Sequence, residues 1–212
     1  MENLKIIKND NTEEIIEKKS KFIANLIYVE SEEEAIEKIK EIKKKHFDAR
    51  HNCYAYRILE NNAIIQRSSD DGEPSGTAGA PMLNILEKNN IVNVLIVVTR
   101  YFGGILLGTG GLVKAYTEAL QKSINNNELV YVELGYEVYI KYPYNESKKI
   151  EYFIKNNNIK ILKQNYMEEI EILIEISKNN YEKLCREFPE NVNKKIKYKI
   201  EKDKTISKNG LN

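Results

Sequence analysis

The alternation of apolar and polar residues divides the first 130 residues into short strands and helices. Ser31 and Glu34 form a capping box that opens one of the helices. The pattern predicts strands within 13–29 that meet near 18–21, strands at 53–58, 63–66 and 94–98, and helices at 31–45, 81–87 and 111–124. Because residues 94–98 are apolar without interruption, we expect this strand to be buried on both faces.

The pattern restarts near Leu129. It predicts strands at 129–141, 159–165, 170–176 and 192–200, and helices at 146–156 and 179–187. This βαββαβ order is typical of a ferredoxin-like unit. We therefore predict an α+β protein with an α/β domain over 1–130 and a ferredoxin-like domain over 131–212.

Composition and charge narrow the class of protein. The chain has 212 residues, of which 42% are hydrophobic and 31% charged, and its net charge of +1 gives no general attraction to nucleic acid or membrane. The longest apolar run, Val94–Val98, is too short to span a bilayer. The charged N-terminal residues do not resemble a signal peptide, and the two cysteines lack a CxxC spacing. We expect a cytoplasmic protein with reduced thiols.

Glycine is concentrated in one part of the chain. Eight of the ten glycines lie between Gly72 and Gly111, in two groups within 69–79 and 100–111. Glycine is costly to order and is usually kept where the backbone needs positive φ or a close approach. These two segments therefore mark the predicted functional surface.

The second glycine group leads directly into a predicted helix. Free amides of Gly108–Gly111 at the start of that helix would suit an anion, and Arg100 and Lys114 would add full charges. Neither a P-loop nor a complete dinucleotide-binding motif is present. Tight turns and close strand–helix packing remain an equally good explanation of these glycines.

Other polar groups suggest further chemistry without completing a site. Three carboxylates beside Gly72 fit either a divalent cation or an ordinary turn, and His46, His51 and Cys53 lack the further ligands that zinc needs. We predict no catalytic residue, metal or cofactor. The candidate ligand-binding residues are Arg50, His51, Asp70, Asp71, Gly72, Glu73, Ser75, Gly76, Thr77, Arg100, Tyr101, Gly103, Gly104, Gly108, Thr109, Gly110, Gly111 and Lys114.

Four segments together resemble the YigZ/IMPACT family. They are Asp48–Cys53, Ser69–Gly79, Arg100–Tyr116 and, more briefly, Lys19–Phe22. The resemblance is strong over residues 1 to about 130, and the remainder resembles the small C-terminal domain of the bacterial branch by pattern only.

The resemblance implies a fold for each domain. The first would be a ribosomal-protein-like α/β sandwich, as in elongation factor G domain IV and GHMP kinases. The second would be ferredoxin-like, as in elongation factor G domain V. Eukaryotic IMPACT regulates translation through a partner bound by an additional RWD domain, which we do not expect here, so that partner is not carried over.

Two functions remain open from the sequence. The first is a cytoplasmic binding protein linked to translation, with RNA, a ribosomal element or a protein as the partner of the glycine-rich surface. The second is an enzyme acting on a phosphorylated small molecule or nucleotide, with phosphate held at Gly108–Gly111. We favour binding, because no acid, base and nucleophile can be assembled.

Overall fold

The structure is a computed structural model, which describes residues 4–60, 63–189 and 196–207. Residue contacts divide the chain into two compact units, Met1–Tyr131 and Val132–Asn212. Both units combine helices with a largely antiparallel sheet, as expected for an α+β protein. Among the helices of the described residues, none combines the length and the hydropathy that a membrane span requires.

The first unit is built on a five-stranded antiparallel sheet with the order β2-β3-β6-β4-β5. Its strands are Leu4–Ile7 (β1), Asn11–Glu17 (β2), Ser20–Tyr28 (β3), His51–Glu60 (β4), Ala63–Ser69 (β5) and Val94–Tyr101 (β6). Its helices are Glu32–Lys45 (α1), Gly79–Lys88 (α2) and Gly108–Asn125 (α3). The short strand β1 lies outside this sheet.

Helices cover both faces of this sheet. Residues of α1 pack against Leu95 and Val97 of β6, whereas α2 and α3 pack against Val94, Ile96 and Val98 on the opposite face. All residues of β6 from Val94 to Arg100 are buried. This confirms the predicted central strand, because a strand between two helical layers must be apolar on both sides.

The first unit differs from the predictions in the starts of two helices and in one additional strand. Helix α2 begins at Gly79 rather than at residue 81, and α3 begins at Gly108 rather than Gly111. Strand β1 was not predicted, because four residues are too few to show a two-residue period. The glycines thus enter the first turns of helices, where propensity alone argues against them.

The second unit has the predicted βαββαβ order of elements. They are Leu129–Tyr142 (β7), Ser147–Asn156 (α4), Lys160–Tyr166 (β8), Ile170–Ser177 (β9), Lys178–Glu187 (α5) and Lys197–Ser207 (β10), with a short 3₁₀ turn at Tyr144–Glu146. The sheet order is β10-β7-β9-β8, with every pair antiparallel. Of the strand predicted over 192–200, residues 192–195 lie outside the described residues, and β10 continues to Ser207.

Alternating isoleucines make the core of this unit. Ile170, Ile172, Ile174 and Ile176 of β9 are buried and pack in one cluster with Ile150 and Phe153 of α4. The intervening residues of β9 are less buried. One face of the sheet is therefore covered by helices, as the period of two predicts.

Candidate functional site

The first glycine group forms a tight turn after β5. The Glu73 N–H donates to the Asp70 carbonyl over 2.9 Å, and the two central residues, Asp71 and Gly72, have φ of 43° and 87°. Turns with positive φ at both central positions favour Asp-Gly sequences, since these residues tolerate that conformation. The turn directs the Asp71 carbonyl toward His51.

Asp70 uses its carboxylate to hold the rest of this loop. Its Oδ1 accepts the N–H groups of Ala78 and Gly79 at 2.9 and 2.8 Å, and its Oδ2 accepts that of Gly76 at 2.8 Å. Burial raises the pKa of Asp70, but these three bonds outweigh burial and lower it below its ordinary value of 3.8. Asp70 therefore acts as a remote cap for α2, whose own capping residue, Ala78, provides no side-chain acceptor.

Asp71 fixes the orientation of His51. Its carboxylate accepts Lys43 Nζ at 2.6 Å and the Asn52 N–H at 2.8 Å, and its carbonyl lies 3.0 Å from His51 Nδ1. A carbonyl can only accept a hydrogen bond, so the geometry assigns the proton to Nδ1. His51 Nε2 then remains available, since no residue in the described part of the chain bonds to it.

Glu73 and Arg100 form a buried ion pair behind the turn. Arg100 Nη1 donates to Glu73 Oε1 at 2.7 Å, and the two side chains are only 7% and 3% exposed. The Tyr116 hydroxyl donates to the same oxygen at 2.9 Å. Removing either partner of a buried pair leaves an uncompensated charge, so Glu73 and Arg100 hold each other in place.

Cys53 extends this buried network and is not a nucleophile. Its Sγ lies 2.9 Å from the Asp70 carbonyl oxygen and 3.3 Å from the Tyr116 hydroxyl. Burial raises the pKa of the Cys53 thiol to about 12 and also raises that of Tyr116. Both groups therefore stay protonated near neutral pH, and the thiol has little thiolate character.

A cavity of about 520 Å³ opens beside this network. It is lined by residues 48–51, 100–102 and Leu106, and we refer to it as the motif cavity. Arg50 is exposed and makes no ion pair within the described part of the chain. Phe102 and Leu106 are 54% and 83% exposed. The rim of the motif cavity therefore combines the exposed cation Arg50 with two apolar side chains.

Tyr101 anchors one wall of the motif cavity. Its hydroxyl donates to Asp48 Oδ1 at 2.9 Å and lies 3.0 Å from His46 Nδ1. Burial raises the pKa of Tyr101 and lowers that of His46. A neutral imidazole and a protonated hydroxyl are therefore the favoured forms of this pair.

The second glycine group begins with a close backbone approach. A Cβ on Gly103 would lie 2.0 Å from the carbonyl carbon and oxygen of Lys19, and the Gly103 N–H donates to Ser20 Oγ at 3.2 Å. Gly104 follows with φ of 85°. These two residues hold the loop after β6 against the β2–β3 turn.

The start of α3 presents its amides to solvent. Gly108, Thr109 and Gly110 are exposed, and the capping residue Leu107 makes no side-chain bond. Within the described residues, no acceptor bonds to the amides of these three residues. Lys114, one turn later, is also exposed. The anion site at Gly108–Gly111 stays a prediction.

The structure groups only some of the predicted site residues. Arg50, His51, Arg100 and Tyr101 line the motif cavity. Four further residues shape it from behind or continue its loop; they are Asp71, Gly72, Gly103 and Gly104. The others lie in the Asp70 loop or at the start of α3, namely Asp70, Glu73, Ser75, Gly76, Thr77, Gly108, Thr109, Gly110, Gly111 and Lys114.

Four lining residues were not among the predicted ones. They are Asp48, Ala49, Phe102 and Leu106. Phe102 and Leu106 had a signal in the sequence, since apolar residues next to a group of glycines fit neither an amphipathic helix nor a strand. Asp48 precedes Arg50 in one of the motifs that carry the family resemblance, and its role depends on Tyr101, which is distant in sequence.

The zinc alternative finds no geometric support. His46 bonds to Tyr101, His51 to the Asp71 carbonyl, and Cys53 to buried oxygens of Asp70 and Tyr116. In the part of the chain that the structure describes, no three His, Cys, Asp or Glu side chains come together as metal ligands.

Comparison with known proteins gives matches over most of the chain. The family model described as the Impact N-terminal domain matches residues 18–124, and one described as a domain of unknown function (DUF1949) matches 140–193. The IMPACT family member YvyE of Bacillus subtilis is 42% identical over 165 residues, covering 78% of this chain and 76% of the relative.

Comparison with solved structures also gives similar proteins. A crystal structure of a hypothetical protein is 29% identical with a TM-score of 0.66, covering 93% of this chain and 97% of that chain. The two-domain translational regulator Yih1 is 27% identical, but its TM-score of 0.37, over 57% of this chain and 46% of that chain, is too low to indicate a shared architecture. The sequence matches over both units lead to one conclusion: this chain belongs to the IMPACT family.

Proposed function

We propose that this protein is a binding protein that acts in translation and that its motif cavity contacts RNA. The observation that carries the proposal is the exposed guanidinium of Arg50, without a counter-ion in the described part of the chain, beside the half-exposed ring of Phe102. Membership of the IMPACT family supports the link with translation, which the sequence resemblance already implied. A cytoplasmic location belongs to the same proposal.

The two side chains match the two contacts that RNA offers. A free guanidinium binds phosphate oxygens, and an exposed aromatic ring stacks on an unpaired base. Leu106, and Phe47 just after the end of α1, add further exposed apolar surface. A net charge of only +1 means that attraction has to come from this local arrangement rather than from the whole molecule.

The test measures affinity for a single-stranded RNA oligonucleotide at low and high salt. We expect binding that weakens as salt rises, because phosphate contacts release counter-ions. Arg50→Ala should lower the affinity about tenfold at low salt and reduce the salt dependence. Lys88→Ala is the matched control, since it removes one exposed charge from α2, away from the motif cavity.

Two results would count against RNA as the partner. One is the absence of measurable affinity at low salt. The other is an equal loss of affinity in Arg50→Ala and Lys88→Ala, which would show that charge alone, and not the motif cavity, determines binding.

The exposed amides at the start of α3 favour a second candidate function. Gly108, Thr109 and Gly110 offer unbonded N–H groups where the helix dipole is positive, with Lys114 one turn away. The protein would then be an enzyme that acts on a phosphorylated small molecule or nucleotide. Thermal unfolding with nucleotides and sugar phosphates, with and without magnesium, tests this: a shift that Lys114→Ala abolishes supports it, and no shift across the panel rejects it.

The proposal extends to the type of each domain. We infer that 1–130 is a ribosomal-protein-like α/β sandwich related to elongation factor G domain IV and that 131–212 is ferredoxin-like. The β10-β7-β9-β8 order and the βαββαβ succession support the second assignment. Fold relationship by itself is a weak guide to function, so the RNA test above carries the functional conclusion.

A further inference from the structure

We propose that the motif cavity holds a single unpaired nucleotide of the RNA, with its phosphate on Arg50, a ribose hydroxyl on His51 Nε2 and its base against Phe102. This inference rests on the proposed function and adds a defined subsite to it. The cavity volume of about 520 Å³ lies within the range of small-ligand sites, which is roughly 300–1,000 Å³. A flat RNA-binding surface would need no such cavity.

Arg50 supplies the exposed positive charge of this subsite. It immediately precedes β4, its side chain is exposed, and it makes no ion pair in the described part of the chain. Several other cations of the first unit are paired, as Lys43 is with Asp71. An unpaired arginine at the rim of a cavity can therefore bind phosphate without first breaking an internal bond.

His51 supplies a directed hydrogen-bond acceptor on the same wall. Its Nδ1 is held by the Asp71 carbonyl, and Asp71 is itself fixed by Lys43 and the Asn52 N–H. The ring is thereby set in one orientation before any ligand arrives. With the proton on Nδ1, Nε2 can accept a hydrogen bond from a ribose hydroxyl of the nucleotide.

Arg100 forms the buried wall of the motif cavity, next to Phe102 at the rim. The Arg100 guanidinium lies 5.7 Å from the centre of the Phe102 ring and 5.5 Å from that of Phe22. Its Nε is buried and bonds to no acceptor, and its Nη2 makes only a 3.5 Å contact with Ser20 Oγ. A buried donor without an acceptor is uncommon and points to a site that a polar group completes.

The negative charge of Asp48 should repel an anion in the motif cavity. Its carboxylate lines the cavity and accepts the Tyr101 hydroxyl, while the charge of Arg100 is already offset by Glu73. Removing the Asp48 charge should therefore strengthen phosphate binding. Asp48→Asn does so and keeps an oxygen for the Tyr101 hydroxyl.

The experiment follows the two histidine rings of the intact protein by NMR. The chain contains only two histidines, so the ring signals are simple to assign. Uridine monophosphate should shift the His51 signals more than those of His46, which is bonded to Tyr101, and uridine should shift them far less. From the same titrations we expect Asp48→Asn to bind uridine monophosphate about threefold more tightly and Arg50→Ala about tenfold more weakly, with Lys88→Ala unchanged.

The outcomes separate this inference from the proposed function. If the RNA oligonucleotide binds but uridine monophosphate at millimolar concentration leaves His51 unshifted, and His51→Gln and Asp48→Asn bind the oligonucleotide as the parent does, the subsite is wrong and RNA binding stands. If the oligonucleotide does not bind while uridine monophosphate shifts His51, the RNA assignment is overturned and the motif cavity belongs to a free nucleotide. Binding of both, with opposite effects of Asp48→Asn and Arg50→Ala, supports the inference.

Discussion

At the scale of single side chains, the three carboxylates within residues 70–73 have different surroundings. Asp70 accepts three backbone N–H groups, Asp71 orients His51, and Glu73 is buried against Arg100. Each position therefore depends on charge in a different way. The Asp70 carboxylate is the clearest test, because its pKa is lowered by bonds that exist only in the folded protein.

We predict that Asp70→Asn destabilises the protein at neutral pH but not in acid. A carboxyl with a lowered folded pKa stabilises above its ordinary pKa, and that contribution is lost as pH falls through the folded value. The loss in free energy of unfolding should be about 2 kcal/mol at pH 7 and should shrink as the pH falls below the ordinary 3.8. Denaturant unfolding at several pH values measures it.

Asp203→Asn on the exposed part of β10 is the control. It should change the free energy of unfolding by less than about 0.5 kcal/mol at every pH. A pH-independent effect of Asp70→Asn would show that the loop does not depend on the ionised carboxylate.

At the scale of elements, the two glycine groups do not have a single purpose. Gly103 permits contact between the loop after β6 and the β2–β3 turn, whereas the glycines at the start of α3 leave backbone exposed. Gly103 and Gly110 both lack a positive φ, so they can be compared without a difference in backbone strain. What differs is the space for a side chain.

Gly103→Ala should destabilise the first unit by about 1–3 kcal/mol, because the new Cβ would overlap the Lys19 carbonyl and the backbone would have to move. Gly110→Ala should be neutral or stabilising by up to about 1 kcal/mol, since nothing lies within 4 Å and alanine favours the helix. Thermal unfolding of both variants measures the difference. Equal stability of the two would contradict the close approach at Gly103.

At the scale of the whole molecule, each unit has its own hydrophobic core. The clusters of the first unit draw on β1, β3, β4, β6 and α1–α3, and that of the second draws on β7, β9, α4 and α5, with Tyr198 of β10 packed against it. No buried cluster member in the described residues belongs to both sets. A local defect in one core should therefore be felt mainly within that unit.

Gly135→Ala provides this defect. Its Cβ would lie 2.5 Å from the Ile176 carbonyl oxygen and 2.1 Å from Ile206 Cδ1, so β7 would have to shift against its neighbours. We expect loss of hydrogen-exchange protection in β9, with β3 and β6 retaining theirs. Equal loss of protection in β3 and β6 would show that the units unfold together.

Much of the architecture follows from local periodicity. The isoleucines of β9 and the apolar run of β6 predicted their elements correctly, because burial on one or two faces leaves a direct record in the sequence. The sequence predicts the starts of α2 and α3 two or three residues after their true positions at Gly79 and Gly108. The reason is that the capping groups of these helices are remote or missing, and that glycine in a sequence usually indicates the end of a helix. The family followed from contiguous motifs.

The composition of the motif cavity had to come from the fold. His51, Arg100 and Phe22 are neighbours only because β4, β6 and β3 pair in register. Asp70 and Glu73 resembled ligands in the chain, and tertiary contacts use them within the protein. Periodicity reports how deeply a residue is buried, but which polar atoms meet depends on pairing between distant segments, and that is set by the three-dimensional packing.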